Sequence, residues 1–309
     1  MVDIATTAPR SGVDYRGSFI PEVWSSKLNA KFYETTVFGE IANTDYEGEI
    51  SNMGSKVHIR IRPDIEVKKY KRGQKLDVQI PETNKIELEI DRADYFNVLV
   101  EKIDEVQADI DKMNEFTDDA TEKMQISIDS EILGEIYADA DTANSGNSAG
   151  KRSGNIALGE AGAPIEVTKE NVIDYIVDCG TCLDEQSIPQ QGRYLVLPPS
   201  IVARIKKSEL KDASLAGDGT SILRNGRVGV IDRFTVYSSN NLSTVDEGGN
   251  TAWNAIFGHS QGLTYASQIA EVENLKSEDY FGRYVRGLNV FGFKVTNPEA
   301  MGHIYATIG

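Results

Sequence analysis

The chain has 309 residues, which is enough for two domains of ordinary size or for one domain with a long excursion. Hydrophobic residues make up 40% of it, so it is expected to bury real cores. The formal charge of -16 argues against the clustered basic surface that holds nucleic-acid phosphates or anionic membranes, so we expect neither sequence-specific nucleic-acid binding nor membrane association. No apolar run approaches the roughly 20 residues of a membrane span, and no signal peptide is visible, which predicts a protein assembled in the cytosol.

The first third of the chain reads as a polar arm followed by a long ribbon. Residues 1–18 are polar and contain Pro9, Gly12 and Gly17, and Phe19–Phe38 holds apolar residues at helical spacing, which predicts a short helix. Two runs with a period of two follow, separated by a polar tip that contains a glycine, which predicts a long β-hairpin over residues 55–92. The outer part of this hairpin has few apolar residues, so it needs another surface to lie on.

A single apolar stripe then runs from Leu99 to Ile132 in steps of three or four residues. No proline or glycine interrupts it before Gly134, so the pattern predicts one long helix over residues 101–139. Acidic residues in its first turns suit the positive end of a helix dipole.

The remaining chain alternates helices and strands. Residues 139–164 are rich in small polar residues and predict a loop. Helices are predicted at Thr168–Gln186, with Thr168 as its cap, and at Ser200–Leu210. Strands are predicted at 193–197, 227–239, 253–258, 262–269 and 283–296.

Charge is segregated between the ribbon and the long helix. The segment Lys56–Lys85 carries nine basic and four acidic residues, whereas 101–139 carries thirteen acidic residues and three lysines. Both could simply be solvated faces, but the ribbon also lacks a core, so we favour complementary surfaces that join copies of the chain. The predicted contact residues of the ribbon tip are Lys68, Lys69, Lys71, Arg72 and Lys75. The predicted acidic face of the helix comprises Asp104, Asp109, Asp111, Glu115, Asp118, Asp119 and Glu122.

One motif suggests catalysis. Residues 258–262 match the G-x-S-x-G pattern of serine hydrolases, with Ser260 as the nucleophile and with Asp279 and His303 following in the hydrolase order. Only 47 residues follow Gly262, too few for the rest of a hydrolase sheet, and the next segment is predicted to be a strand and not the helix that the motif requires. We therefore predict no enzymatic activity and no catalytic residue.

No cofactor or metal site is predicted either. Cys179 and Cys182 have redox spacing, but they fall toward the end of a predicted helix, where nothing lowers a thiol pKa, so we expect two buried small side chains. The three histidines have no metal-ligand spacing. The loop around Gly150 and Lys151 resembles a P-loop but lacks its first glycine and its final hydroxyl residue.

The order of these elements resembles the major capsid proteins of tailed bacteriophages. Four segments are similar to that family in detail, namely Phe19–Trp24, Asn225–Asn241, Ala255–Gln268 and Gly287–Pro298. The resemblance implies an α+β fold of the Hong Kong 97 capsid type, with an N-terminal arm, an extended β-hairpin called the E-loop, a long spine helix, a peripheral domain and an axial α/β domain. It covers nearly the whole chain, and the order of elements carries more of it than any one string.

This resemblance implies a division of the chain. The arm is expected at 1–36, the E-loop at 55–92 and the axial domain at 166–268. The peripheral domain is expected at 37–54, 93–165 and 269–309, with the spine helix at 101–139.

The resemblance also implies an assembly. Copies of the chain are expected to form the pentamers and hexamers of an icosahedral virion capsid, built in the host cytoplasm. No long helical segment precedes the arm, so a separate scaffolding protein is expected, together with a portal and decoration proteins. A bacterial encapsulin shell, which has the same fold, remains an alternative, and a serine hydrolase that uses Ser260 is the alternative from another class.

Overall fold

The secondary structure is given by a computed structural model of the chain, which describes residues 36–45, 56–60, 65–75, 78–79, 85–101, 112–208, 227–277 and 281–309. The α-helices are α1 (Phe38–Ile41), α2 (Lys112–Glu135), α3 (Val172–Glu185) and α4 (Pro199–Lys207). The strands are β1 (Lys56–Arg60), β2 (Lys85–Glu89), β3 (Arg92–Glu101), β4 (Ile165–Val167), β5 (Arg193–Leu197), β6 (Arg227–Ile231), β7 (Phe234–Ser238), β8 (Thr244–Glu247), β9 (Asn250–His259), β10 (Leu263–Lys276), β11 (Gly282–Val295) and β12 (Met301–Ile308). Short 3₁₀ turns lie at Ile136–Asp139, Thr142–Asn144 and Pro298–Ala300.

A wide mixed sheet forms one half of the described fold. Its strands run in the order β4-β12-β9-β5-β7-β6, and β8 also pairs with β9. The helix α3 buries Val172, Ile176, Cys179 and Leu183 against one face of this sheet, because residues three, four and seven apart share one side of a helix. The helix α4 adds Ile201, Val202 and Ile205 to the same core.

A narrow antiparallel sheet forms the other half, with its strands in the order β10-β11-β3. The strands β10 and β11 are fourteen residues long and pair along their whole length. The helix α2 joins the two sheets, since Ile128 and Ile132 lie in one cluster with Phe291 of the narrow sheet and Ile256 of the wide sheet. The fold therefore has two sheets fastened by a long helix.

The predicted hairpin is confirmed at its base. The strands β1 and β2 are antiparallel, with Val57 opposite Leu88 and Ile59 opposite Ile86. The alternation read from the sequence therefore predicts both strands, and the structure adds their register.

The start of the long helix differs from the prediction. Glu101 is the last residue of β3, which pairs with β11 over ten residues from Arg92 to Glu101, so the helix does not begin there. The described helix is Lys112–Glu135, and residues 136–139 form a 3₁₀ turn instead of a continuation of the helix. Leu99 fits both the period of two of a strand and the apolar stripe of the helix. Its segment is a strand because it pairs with β11, which is distant in the sequence. The segment 102–111 lies outside the described residues.

The helix predicted at Thr168 begins at Val172 instead. The Asn171 side chain accepts a hydrogen bond from the Thr168 backbone (2.8 Å), and the Thr168 hydroxyl accepts one from Glu170 (3.3 Å). These polar side chains form a turn ahead of the helix, as such residues do outside helix interiors.

The single strand predicted over 227–239 is a hairpin. The strands β6 and β7 are joined by Asp232 and Arg233, whose φ angles of 43° and 69° define a tight turn with the twist of a β-hairpin. Neither residue is a glycine or an asparagine, so the usual sequence signal for this turn is missing.

The end of the chain joins the wide sheet. The strand β12 pairs with β9 and β4, although the predicted division groups 269–309 with the peripheral domain. The sheets therefore follow a different division in this segment, while the domain bounds themselves stay a prediction. The predicted arm at 1–36 lies, apart from residue 36, outside the described residues.

Candidate assembly surfaces

The base of the hairpin is anchored on the narrow sheet. The residues of β1, β2 and the turn after them that share this core with Ala266 and Val290 are Val57, Ile59, Leu88 and Ile90. These side chains are buried because the alternating pattern places one apolar row on each strand of the ribbon. The base is thus held in place, and the chain beyond it projects as the ribbon tip, which we define as the described residues 65–75 and 78–79.

Every residue of the ribbon tip is exposed. The Gln79 side chain ties the two arms together, since it accepts a hydrogen bond from the Glu66 backbone (3.2 Å) and donates one to the Glu66 carboxylate (3.3 Å). The turn at the end contains Gly73 with a φ of 85°, a left-handed conformation that glycine adopts without steric cost.

The tip brings together the five predicted basic residues. Lys68, Lys69 and Lys75 line a concave surface together with Glu66, Tyr70, Gln74 and Gln79. Lys71 and Arg72 lie at the turn beside it, where the Lys71 backbone donates to the Gln74 side chain. The tip therefore presents a cationic surface suited to carboxylate partners.

The acidic face of the long helix is described only in part. Asp118 and Glu122 are exposed and Asp119 is half-buried, with its carboxylate 3.3 Å from the Lys123 ammonium. Glu115 lies in α2, but its side chain lies outside what the structure describes, and Asp104, Asp109 and Asp111 lie outside the described residues altogether.

Other acidic residues of the same helix serve the fold. The Arg92 guanidinium pairs with Glu131 and Glu135 and lies over the Phe293 ring, 4.3 Å from its centroid. The hydrogen bond from Arg92 lowers the pKa of the Glu135 carboxyl below its ordinary value. These acids therefore hold the helix on the narrow sheet.

Asp129 is a structural acid that the sequence pattern does not single out. Its carboxylate is fully buried and accepts hydrogen bonds from the backbone of Val37 (2.9 Å) and of Phe38 (2.8 Å), and from the side chain of Asn241 (2.7 Å). It therefore joins α2 to the segment that follows the arm and to the turn after β7. The only signal in the sequence is its position in the apolar stripe beside Ile128 and Ile132.

The hydrolase-like motif lies in a turn between two strands. The segment after it is the strand β10, as predicted, and not the helix that a nucleophile elbow requires. The His259 ring accepts a hydrogen bond from the Gln261 backbone at Nδ1 (3.1 Å), so this nitrogen is not free to act as a base. His303 pairs in register with Ile256, about 13 Å along β9 from Ser260.

His303 contributes to the packing of the fold. Its Nε2 lies 2.9 Å from the Asn254 side-chain oxygen, and its ring packs on Tyr137. Burial lowers the pKa of His303 to about 4, so the ring is neutral at physiological pH.

Replacing Ser260 with alanine is expected to leave particle assembly and subunit stability unchanged. Ser260 is half-buried in a turn between two strands, and loss of its hydroxyl is expected to cost no more than about 1 kcal/mol. Particle yield by sedimentation and the melting temperature of the subunit are the measurements. A covalent adduct of a fluorophosphonate on the wild type that is lost in Ser260→Ala would contradict this prediction.

The two cysteines are buried and unpaired, as the sequence predicts. Burial raises the pKa of both thiols, that of Cys182 to about 12, so neither is a reactive thiolate at physiological pH. The backbone of the P-loop-like segment already binds a carboxylate, because Glu185 of α3 accepts hydrogen bonds from the backbone of Arg152 and Ser153.

No group of three or more metal-binding side chains occurs among the described residues. No described helix is long and apolar enough to cross a membrane.

The described fold thus consists of two sheets joined by a long helix, with a two-stranded ribbon based on the narrow sheet. Residues 87–304 match the phage capsid protein family. This match covers more than half of the chain, and the chain therefore belongs to the phage capsid protein family.

Solved structures agree in fold. A structure from Mycobacterium phage Che8 is 25% identical, covers 92% of this chain and 96% of its own, and gives a TM-score of 0.69. The capsid of Cyanophage P-SCSP1u is 14% identical over 99% of this chain and 100% of its own, with a TM-score of 0.68. The capsid of a native GTA particle is 13% identical over 97% and 99%, with a TM-score of 0.63. No protein with a curated description matches the chain in sequence.

The fold is therefore the α+β fold of the Hong Kong 97 capsid type, and the chain is a major capsid protein that forms a phage shell. Its location is the virion capsid.

Proposed function

We propose that the chain assembles into hexamers and pentamers of an icosahedral capsid, and that each copy places its ribbon tip on the next copy. One observation carries this proposal: the tip projects from the fold with every described residue exposed, including Val67 at 92% and Val78 at 88%. A ribbon without a core of its own is marginal in water, so it gains order only from a second surface.

The polar half of the contact is proposed to be electrostatic. The tip carries Lys68, Lys69, Lys71, Arg72 and Lys75, and the acidic side is proposed to come from Asp104, Asp109, Asp111, Glu115, Asp118, Asp119 and Glu122 of the next copy. Each exposed pair contributes less than about 1 kcal/mol, so no single pair holds the shell. Repetition over many copies makes the contact strong, and salt weakens it because exposed charges are screened.

Reversing the charge of Lys68, Lys69 and Lys71 to glutamate is expected to abolish particle formation without unfolding the subunit. All three side chains are exposed, so the fold loses little, whereas every tip then meets like charge. Particles are counted by negative-stain electron microscopy, and folding is checked by circular dichroism and thermal unfolding. Lys169, Lys206 and Lys207 are exposed outside the tip, and their replacement by glutamate is the matched control. Normal particles from the tip variant would contradict the electrostatic proposal.

The partners of the shell are also part of this proposal. A separate scaffolding protein, a portal and decoration proteins are proposed to act with the capsid, with assembly in the host cytoplasm and without enzymatic activity. The absence of a nucleophile elbow around Ser260 supports the last point. These partners are tested by expressing the chain alone and together with its neighbouring genes and examining the particles by electron microscopy. Small shells filled with an enzyme would favour an encapsulin instead.

A further inference from the structure

The hairpin formed by β8 and the first half of β9 has little apolar anchoring. None of the four residues of β8 is buried, and the turn at its tip, residues 248–249, is exposed. The foot of the hairpin is the pair of Ser243 and Asn254, which a backbone hydrogen bond joins (3.0 Å). Since β8 gains almost nothing from apolar burial, its place depends on its pairing with β9 and on polar side-chain contacts.

One of these polar contacts lies near the tip of the hairpin. The Glu247 carboxylate accepts hydrogen bonds from the Gly162 backbone (2.9 Å) and from the Tyr305 hydroxyl (2.8 Å). Gly162 belongs to the loop before β4, and Tyr305 belongs to β12. These two hydrogen bonds, that from Gly162 first, lower the pKa of the Glu247 carboxyl below its ordinary value. The ionised carboxylate is the stronger acceptor, so this contact is firm only while Glu247 is charged.

The second polar contact lies at the foot of the hairpin. The Asn254 side-chain amide donates to the Ser243 hydroxyl (2.8 Å), so its oxygen is the atom that faces His303 Nε2 at 2.9 Å. Nε2 of His303 therefore carries the proton and donates it, and Nδ1 is the nitrogen without a proton. The ring of Tyr137, in the turn after α2, packs on the His303 ring with centroids 5.1 Å apart. His303 thus joins the foot of the hairpin to the end of the long helix.

The surroundings of His303 favour a neutral ring. The titratable groups that face it are the phenols of Tyr137 and Tyr305, whose rings lie beside it. Burial alone lowers the pKa of His303 to about 4, so no charged group of the packed elements, Glu247 included, compensates a positive ring. No described residue accepts a hydrogen bond from Nδ1, so a second proton would create a buried donor without a partner.

We propose that His303 and Glu247 form an acid-sensitive clasp, which holds the β8–β9 hairpin in place near neutral pH and releases it in acid. Both ends of the clasp respond to protons in the same direction. The neutral His303 ring stabilises the closed hairpin above its ordinary pKa of 6.5, and this contribution is lost as the pH falls toward 4. The charged Glu247 adds a contribution that is lost at still lower pH, below its ordinary value of 4.5. The hairpin is the element that yields, because β8 buries none of its residues.

The clasp is independent of the ribbon contact proposed above. The hairpin belongs to the wide sheet, whereas the base of the ribbon lies on the narrow sheet. Failure of one proposal therefore leaves the other intact. A shell repeats the same chain, so acid would act on the hairpin of every copy at once.

Trp253 reports the state of the hairpin. It lies in β9 opposite Thr244 of β8 and is partly buried, and Trp24→Phe leaves it as the single tryptophan of the chain. In assembled particles of this background, acrylamide quenching of Trp253 fluorescence is expected to rise roughly twofold or more between pH 6.5 and 4, with an unchanged circular dichroism spectrum. Constant quenching over this range would overturn the proposal. Loss of secondary structure in parallel with the rise would also overturn it, because acid would then unfold the whole subunit.

Substitution of the histidine assigns the transition. His303→Gln keeps a donor for Asn254 but gains no proton, so it is expected to abolish the rise in quenching between pH 6.5 and 4. His303→Phe, which keeps the packing on Tyr137, is expected to do the same and serves if the glutamine variant does not fold. The other two histidines are the controls, and His58→Gln and His259→Gln are expected to keep the full rise. A rise that persists without His303, or that disappears in His259→Gln, would overturn the role of His303.

The carboxylate end of the clasp is tested at pH 7.5. Glu247→Gln offers Gly162 and Tyr305 a weaker acceptor, so quenching of Trp253 is expected to be raised already at this pH. Glu160→Gln, at an exposed acid of the same loop as Gly162, is the matched control and is expected to leave quenching unchanged. Equal quenching in the two variants would remove Glu247 from the clasp and overturn the proposal.

Discussion

Replacing Asp129 with alanine is expected to lower the free energy of unfolding by roughly 3 to 5 kcal/mol. The carboxylate is fully buried, and its removal leaves the backbone amides of Val37 and Phe38 and the side chain of Asn241 without their acceptor. Each buried donor without a partner costs about 1 to 3 kcal/mol. Urea unfolding of dissociated subunits, followed by circular dichroism, measures the change in midpoint.

Two further variants make this prediction specific. In Asp129→Asn the remaining oxygen still accepts from Val37 and Phe38, which both donate to the same carboxylate oxygen, so a loss of about 1 kcal/mol is expected. Asp118→Ala removes an exposed acid of the same helix and is expected to stay within about 0.5 kcal/mol of the wild type. Equal losses in the alanine and asparagine variants would show that the charge matters and not the hydrogen bonds.

The Asp129 contacts also explain what the sequence could not reveal. Thirteen acids occur between residues 101 and 139, and only its position in the apolar stripe separates Asp129 from the others. Its partners Val37 and Asn241 are 92 and 112 residues away, and only the folded chain brings them together. The predicted acidic face stays a prediction, and it includes none of the acids that hold the fold together, namely Asp129, Glu131 and Glu135.

The elements that were predictable are those whose pattern is local and long. The alternation around Val57 and Leu88 predicts both strands, and the buried apolar row then holds their register, because a slip of one residue would turn that row outward. The short run Arg193–Leu197 was found for a different reason, because it is a continuous run bounded by proline, and it is buried at every position.

Other elements depend on contacts between distant segments. The strand β12 was missed because Met301–Ile308 mixes small, polar and apolar residues without alternation, and it is buried between β9 and β4. The strand β3 was partly read as helix because Leu99 suits both periods. In both cases the neighbouring strand supplies the pattern that the segment itself lacks.

The cationic ribbon tip was visible in the sequence. A group of five basic residues is evident from composition alone, so these residues were named before the fold was known. The pairing of Tyr95 with Leu288 was not visible, since they are 193 residues apart in the sequence and only the ladder between β3 and β11 places them side by side.

The second large effect is expected at Arg193, where replacement by methionine is predicted to lower the free energy of unfolding by roughly 3 to 5 kcal/mol. The Arg193 side chain has no exposed surface and donates to the Asp184 carboxylate (2.6 Å) and to the backbone oxygens of Ile188 (2.7 Å) and Pro189 (2.9 Å). Although burial opposes the ionised form of Asp184, the hydrogen bond and charge of Arg193 outweigh it, and the pKa of this carboxyl is lowered. Methionine fills much of the volume but satisfies none of these acceptors.

The neighbouring Arg233 provides the matched control for Arg193. It pairs with the same carboxylate (3.1 Å), but its side chain is 35% exposed, so Arg233→Met is expected to cost less than about 1 kcal/mol. Arg193→Lys keeps the charge but offers one ammonium in place of a planar fork, so its loss should fall between the two. If Arg193→Met and Arg233→Met unfolded at the same urea concentration, the buried guanidinium would not be what joins α3 to β5. The orientation of that helix would then have to come from the apolar core around Cys179 and Leu183 alone.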